Sequence, residues 1–255
     1  MKYQFFSLVC LYYLVLQYSF CQISLKDSCA NIGYFHFGAG IGNPAGSWSK
    51  KYGIIPQVGL ELGFKSKKNW SITGNFGFIY TDKVKIRPQL FQDIDTFDGL
   101  LIDTNGELVF PDVTAQGWAF GARFGKTFSS LFWKDPNPNS GIFIEIGYLA
   151  IRHKLNIQVP QTLPIMLNDY LKGYDRLTLS QGTAFLLGYR FFNNKRLLNF
   201  TAYMEFDILS SKNLRGYNYD TRSYDNSPKL DVLSSIKIMW CLPLYQRAPE
   251  SFYYY

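Results

Sequence analysis

Between Leu198 and Ile208 every second residue is apolar: Leu198, Phe200, Ala202, Met204, Phe206 and Ile208. Asn199, Thr201, Tyr203, Glu205 and Asp207 stand between them. Side chains on a strand point alternately to its two faces, so the stretch predicts a strand with one apolar face and one polar, acidic face. The same period recurs in eight segments, at 34–42, 54–65, 69–81, 115–128, 141–154, 177–192, 197–209 and 230–241. Their apolar faces carry residues such as Phe37, Leu62, Phe76, Phe120, Ile146, Leu187 and Ile238.

Charge placement sharpens the picture. Glu61, Arg123, Glu145, Arg190, Glu205, Asp207 and Lys237 lie in the middle of these segments, and each has the parity opposite to the apolar face. Random placement would give such agreement roughly once in a hundred. A soluble sandwich would set the apolar faces against a second sheet. A transmembrane barrel sets them against lipid, where a charge at the midplane costs about 2–4 kcal/mol. Most strand glycines, such as Gly63, Gly125 and Gly147, share the inward parity that a narrow interior favours, with Gly74 an exception.

The connections alternate in length. Those at 66–68 and 193–196 are tight, and 129–139 turns through Asp135-Pro136-Asn137-Pro138. Those after the first, third, fifth and seventh segments are longer. The longest, 82–114, holds Leu100-Leu101-Ile102-Asp103 and Glu107-Leu108-Val109-Phe110 around Asn105-Gly106, which predicts a small hairpin with a type I′ turn. Short turns on one side, long loops on the other and an even strand number predict an all-β, closed, antiparallel, up-and-down transmembrane barrel.

Residues 1–21 combine Lys2 with an apolar run and end in Ser19-Phe20-Cys21, which reads as a secretory signal peptide. The barrel is then expected over 22–241 and a periplasmic tail over 242–255, since Pro243 and Pro249 should stop the last strand near Trp240. The net charge of +7 does not signal nucleic acid, because no basic cluster alternates with aromatics on one element. A mean hydropathy near zero fits outward apolar and inward polar residues that cancel.

This layout resembles the small eight-stranded outer-membrane β-barrel family, the class that includes the outer-membrane protein A barrel. Gln22 at the new N-terminus and the tail Phe252-Tyr253-Tyr254-Tyr255 are similar to exported barrels of Bacteroidota. The resemblance implies outer-membrane location, contact with outer-membrane lipid, periplasmic chain ends and long extracellular loops.

Four sets of residues are candidates for function. The inward charges, with His36, form a candidate interior polar network, read as a structural plug with a proton or ion path as the alternative. His153 and Ser180, with Asp175, form an alternative catalytic set for a lipid hydrolase, although no Gly-x-Ser-x-Gly elbow accompanies Ser180. Trp48, Arg215, Tyr217, Tyr219, Arg222 and Tyr224 lie in long loops, where aromatics and arginines anchor protein partners. Cys29 and Cys241, the thiols left after leader removal, fall at the closing seam and are expected to form a disulfide. No phosphate loop, dinucleotide fingerprint or metal-ligand spacing occurs, so no cofactor or metal is expected. The expected role is a non-enzymatic scaffold or subunit of an export, assembly or motility complex of the cell envelope, binding partners through loops and tail. A small pore is a further alternative.

Overall fold

The computed structural model describes residues 28–96, 100–129, 137–159, 170–193 and 198–244. The leader at 1–21 and most of the expected tail lie outside the described residues. Eight long strands form the barrel: β1 (Ile32–Gly46), β2 (Ile55–Lys65), β3 (Trp70–Thr81), β6 (Asp112–Phe128), β7 (Gly141–Gln158), β8 (Thr178–Phe191), β9 (Phe200–Asn213) and β12 (Lys229–Leu244). Two hairpins stand in the long loops, β4 (Leu101–Ile102) with β5 (Leu108–Val109) and β10 (Tyr217–Asn218) with β11 (Ser223–Tyr224). Each barrel strand pairs antiparallel with its neighbours in sequence, and β1 closes on β12. Closure leaves no unpaired edge, which lets the ladder satisfy its own backbone groups.

All eight predicted segments are barrel strands, and several outrun their predicted ends. β1 continues to Gly46, β7 to Gln158 and β9 to Asn213, all at the end carrying the long loops. There the ladder goes on pairing after the apolar alternation has stopped. At the opposite end β12 also runs further than expected, with Pro243 paired to Tyr34 and Leu244 to Gly33. Proline is tolerated here for a geometric reason. Cys241 donates its N–H to the Asn199 carbonyl, so Pro243, two residues on, would aim its missing N–H at the same β9 side. The described β9–β12 pairing ends at Trp240 opposite Phe200, so the ladder loses no donor.

The hairpin in the longest loop forms where expected, with Leu101 opposite Val109, but its turn differs. Gly106 takes a positive φ of 81° and Asn105 does not, so the type I′ geometry is absent. Instead the Asp103 carboxylate accepts from the Asn105 and Glu107 N–H groups and heads a wider turn.

Outward positions are apolar around the whole circumference. Phe37, Leu62, Ile72, Phe120, Ile146, Leu187, Phe206 and Ile238, one from each barrel strand, are all exposed. Aromatics border this belt: Phe64, Trp70, Phe200 and Trp240 on the short-turn side, Tyr80, Trp118 and Tyr148 on the loop side. Such a continuous apolar surface is not found on soluble monomers, and hydrocarbon is the environment that satisfies it. No helix among the described residues is long and apolar enough to cross a membrane. The strands make the crossing instead.

Phe206→Arg is therefore expected to lower the yield of folded barrel in lipid vesicles, at a cost of about 2–4 kcal/mol. Tyr224→Arg, on an exposed loop, should leave the yield unchanged. Equal yields, scored by the gel shift between folded and boiled protein, would contradict the assignment of faces.

Candidate functional site

The inward parity of the strands collects charges from six of them into one buried layer. Glu61 on β2 sits at its centre. It accepts from His36 Nδ1 at 2.8 Å, from Arg123 Nη2 at 2.5 Å and from the Tyr203 hydroxyl at 2.5 Å. Glu145 on β7 accepts from Arg190 Nη2 at 2.8 Å and from the Ser71 hydroxyl at 2.8 Å. Arg123 ties the two halves together, with Nε 3.6 Å from Glu145 and Nη1 3.7 Å from Glu205. Lys237 pairs with Glu205. Asp207 is buried one inward position further towards the loops, and its Oδ1 has no hydrogen-bond partner among the described residues.

The eight residues expected inside therefore all point inward, and seven of them form one connected set. Buried ions must pair because leaving one unpartnered costs several kcal/mol. Four acids meet three permanent cations here, with His36 hydrogen-bonded between Glu61 and Thr201. Large groups fit only where neighbouring strands give way. A Cβ on Gly63 would lie 2.2 Å from the Tyr34 ring, and one on Gly147 would lie 2.7 Å from Arg123 Cγ. A cavity of about 30 Å³ beside Glu61, Tyr203 and Lys237 leaves room for about one or two waters.

Both mouths are closed over this layer. On the short-turn side, Asn139 accepts from the Ala30 N–H and from Lys65 Nζ, each at 2.9 Å, and donates to the Ser28 carbonyl. Tyr34 stacks on His36 there at 4.5 Å, and Arg190 lies over the Tyr34 ring. On the loop side the short helix Ser47–Lys51 turns Trp48 into the barrel. The Asp231 carboxylate holds that helix by accepting from the Trp48 N–H and the Ser47 hydroxyl, each at 2.7 Å. Trp48 and Tyr52 meet His153 edge-on at 4.7 and 5.6 Å, and the Tyr52 hydroxyl lies 3.3 Å from His153 Nδ1. Burial pushes the Tyr52 phenol well above its ordinary range, so it is neutral.

Several expectations need correction. Trp48 is buried as a stopper and is not a loop surface for partners, because Asp231, far away in sequence, draws its helix inward. Ser180, His153 and Asp175 do not assemble as a relay. The Ser180 hydroxyl bonds Ser211 at 2.6 Å, His153 belongs to the Trp48–Tyr52 cluster, and Asp175 takes a bidentate grip from Arg215. Cys29 and Cys241 are free thiols. Cys29 donates to the Pro138 carbonyl across the mouth, whereas Cys241 is packed with Ala30, Ile32, Tyr34 and Phe192. Asp231, Tyr203, Lys65 and Asn139 are site residues that the period-2 reading missed. Asp231 and Tyr203 do have the inward parity, but Asn139 lies in a connection.

The loops lock to one another. Arg176 pairs with Asp220, and Arg222 Nε reaches Asp93 at 3.0 Å. Tyr217 packs edge-on against Tyr219 and Tyr224, and Tyr224 remains 78% exposed. Partial burial pushes the Asp225 carboxyl up, but the hydrogen bond and charge of Lys229 more than offset this and hold it below its ordinary value.

No family model matches this sequence, and no curated protein matches it. Among solved structures it is similar to Ail, the attachment invasion locus protein of Yersinia pestis, solved with the heparin analogue sucrose octasulfate. That likeness has 8% identity and a TM-score of 0.40, covering 84% of this chain and 99% of Ail. Neisserial surface protein A follows at 10% identity and TM-score 0.42, with 82% and 96% covered. A major outer membrane protein of Thermus thermophilus gives 10% and 0.36, with 82% and 99% covered. Values this low carry nothing about function, and the architecture rests on the pairing of the chain's own strands.

Glu61→Ala should destabilise the barrel by about 3–5 kcal/mol in urea unfolding from vesicles, because it leaves Arg123 with only its longer contacts to Glu145 and Glu205 and takes the acceptor from His36 and Tyr203. Tyr203→Phe removes one donor of three and should cost about 1.5–3 kcal/mol. The reverse order would contradict the hub role of Glu61. A depressed Asp225 contributes loop order above its unfolded value, near pH 3.8, and loses it as the pH falls through the lower folded value. Amide exchange over 214–228, corrected for intrinsic rates, should therefore quicken only below about pH 4.

Proposed function

We propose that the protein is an outer-membrane β-barrel acting as a non-enzymatic scaffold or subunit of a cell-envelope complex for export, assembly or motility. The observation that carries this reading is the closed interior. Between Asn139 at one mouth and Trp48 at the other, the cross-section is occupied by paired side chains, so transport through the barrel has no supporting geometry. The reading of 1–21 as a leader supports export, and the continuous apolar belt supports residence in a bilayer. The tail sequence supports a Bacteroidota-type exported barrel.

With the interior filled, partners dock through the loops and the C-terminal tail, and of these the loop crown lies among the described residues. Tyr224 and Arg222 are exposed there on a base stiffened by the Asp175–Arg215 and Arg176–Asp220 pairs. Aromatics and arginine on a rigid base lose little entropy on docking, which suits a protein partner.

Crosslinking in native membranes followed by purification should recover a specific protein partner, at reduced yield with Tyr224→Ser and Arg222→Ser together. Recovery of none would contradict the scaffold reading. In planar bilayers the protein should be silent, and a steady conductance would contradict the plugged interior.

A further inference from the structure

The belt changes character on one arc of the barrel. Arg152 and Lys154 project outward from β7 and Lys212 from β9, and all three are exposed. Among the described residues none of them forms an ion pair. The register sets Trp118, Arg152, Leu179 and Lys212 in one line across β6, β7, β8 and β9, with Gln116 opposite Lys154 in the next row. Strands about 4.8 Å apart put the Arg152 and Lys212 backbones about 10 Å from each other, and Arg152 and Lys154 lie about 7 Å apart along β7. Long side chains can close those gaps onto a single multiply charged group.

The line marks the edge of the lipid-facing belt. On β7 the outward sequence runs Ile144, Ile146, Tyr148, Ala150, then Arg152 and Lys154; on β9 it runs Phe206, Ile208, Ser210, then Lys212. The Tyr148 hydroxyl donates to Gln181 at the transition. A general preference for headgroups would distribute cations around the rim. The corresponding outward positions elsewhere are Asn43 and Ala45 on β1, Pro56 on β2, Tyr80 on β3, and Leu230 and Val232 on β12, all uncharged. The outward acid on the same arc is Asp112, about 13 Å further along β6 than Gln116. A cleft of about 370 Å³ opens at this place, lined by Trp118, Gln116, Arg152 and Lys154. Arg215 also borders it, but its guanidinium is held by Asp175.

We propose that this arc is a binding site for the phosphates of a phosphorylated lipid headgroup in the leaflet on the loop side. Arg152 offers a fork that matches two phosphate oxygens, Lys154 and Lys212 supply point charges, and Trp118 anchors the acyl–headgroup boundary. The chemistry is that of a phosphate monoester, and the position above an apolar belt selects a lipid as its source. The proposal rests on the membrane reading above and adds a named lipid chemistry to it.

The test uses the full-length barrel in neutral detergent and native mass spectrometry. The probes are bisphosphorylated lipid A, the same lipid stripped of both phosphates, and inorganic phosphate as competitor. The wild type is expected to retain the phosphorylated lipid with at least about tenfold preference, unaffected by inorganic phosphate. The triple variant Arg152→Gln, Lys154→Gln, Lys212→Gln should lose that preference. The control Lys67→Gln, Lys68→Gln, in a turn at the other end, should keep it. A preference retained by the triple variant, absent from the wild type or abolished by free phosphate would overturn the proposal. Insertion into vesicles, scored on the same samples, separates the two readings: normal insertion without lipid preference defeats only this one, and failed insertion of the wild type defeats the membrane reading.

Discussion

An eight-stranded barrel has an interior about as wide as its own side chains, and this constraint governs everything else in the molecule. Each inward residue must meet another inward residue, since there is no aqueous lumen to receive it. Glu61 can be buried because His36, Arg123 and Tyr203 converge on it. Arg123 can be buried because Gly147 leaves space beside it and Glu145 and Glu205 lie within reach. The network is thus a consequence of closure as much as an aid to it. Its value lies in register, for a shift of one residue on any of the six strands that carry these charges would send an ion towards lipid.

The fold was legible because one period carries two signals at once. Apolar parity located the eight strands, and charge parity told inside from outside. The reading weakened where the period ended. Beyond the belt β1, β7 and β9 continue to Gly46, Gln158 and Asn213 as paired backbone, with no lipid to impose apolar residues. Pro243 misled because its effect depends on which neighbour its nitrogen faces, and that is a property of the ladder.

The site was legible as a set of charges and not as a set of partners. Parity put Ser180 and His153 inside, yet Ser211 and the Trp48–Tyr52 cluster claim them separately. Trp48 had the composition of a binding anchor, and only a contact spanning 183 positions, from its N–H to Asp231, explains why it turns inward. Cys29 and Cys241 share one end of the barrel, but their side chains take different neighbours, Pro138 for one and the Tyr34–Phe192 cluster for the other. With the interior filled, the exposed features outside the apolar belt are the tyrosine-bearing loop crown and the rim where that belt gives way to Arg152, Lys154 and Lys212.

The barrel is closed, with lipid on one face of every strand and a buried polar network, shut off from bulk water, filling the other. Spin labels placed singly at positions 200–208 of β9, in a Cys29→Ser, Cys241→Ser background reconstituted in vesicles, test it most directly. Collisions with dissolved oxygen should be frequent at 200, 202, 204, 206 and 208 and rare between them, with a polar relaxant reaching neither set. Accessibility that varies smoothly along the strand, or a polar relaxant that reaches 203, 205 and 207, would contradict it.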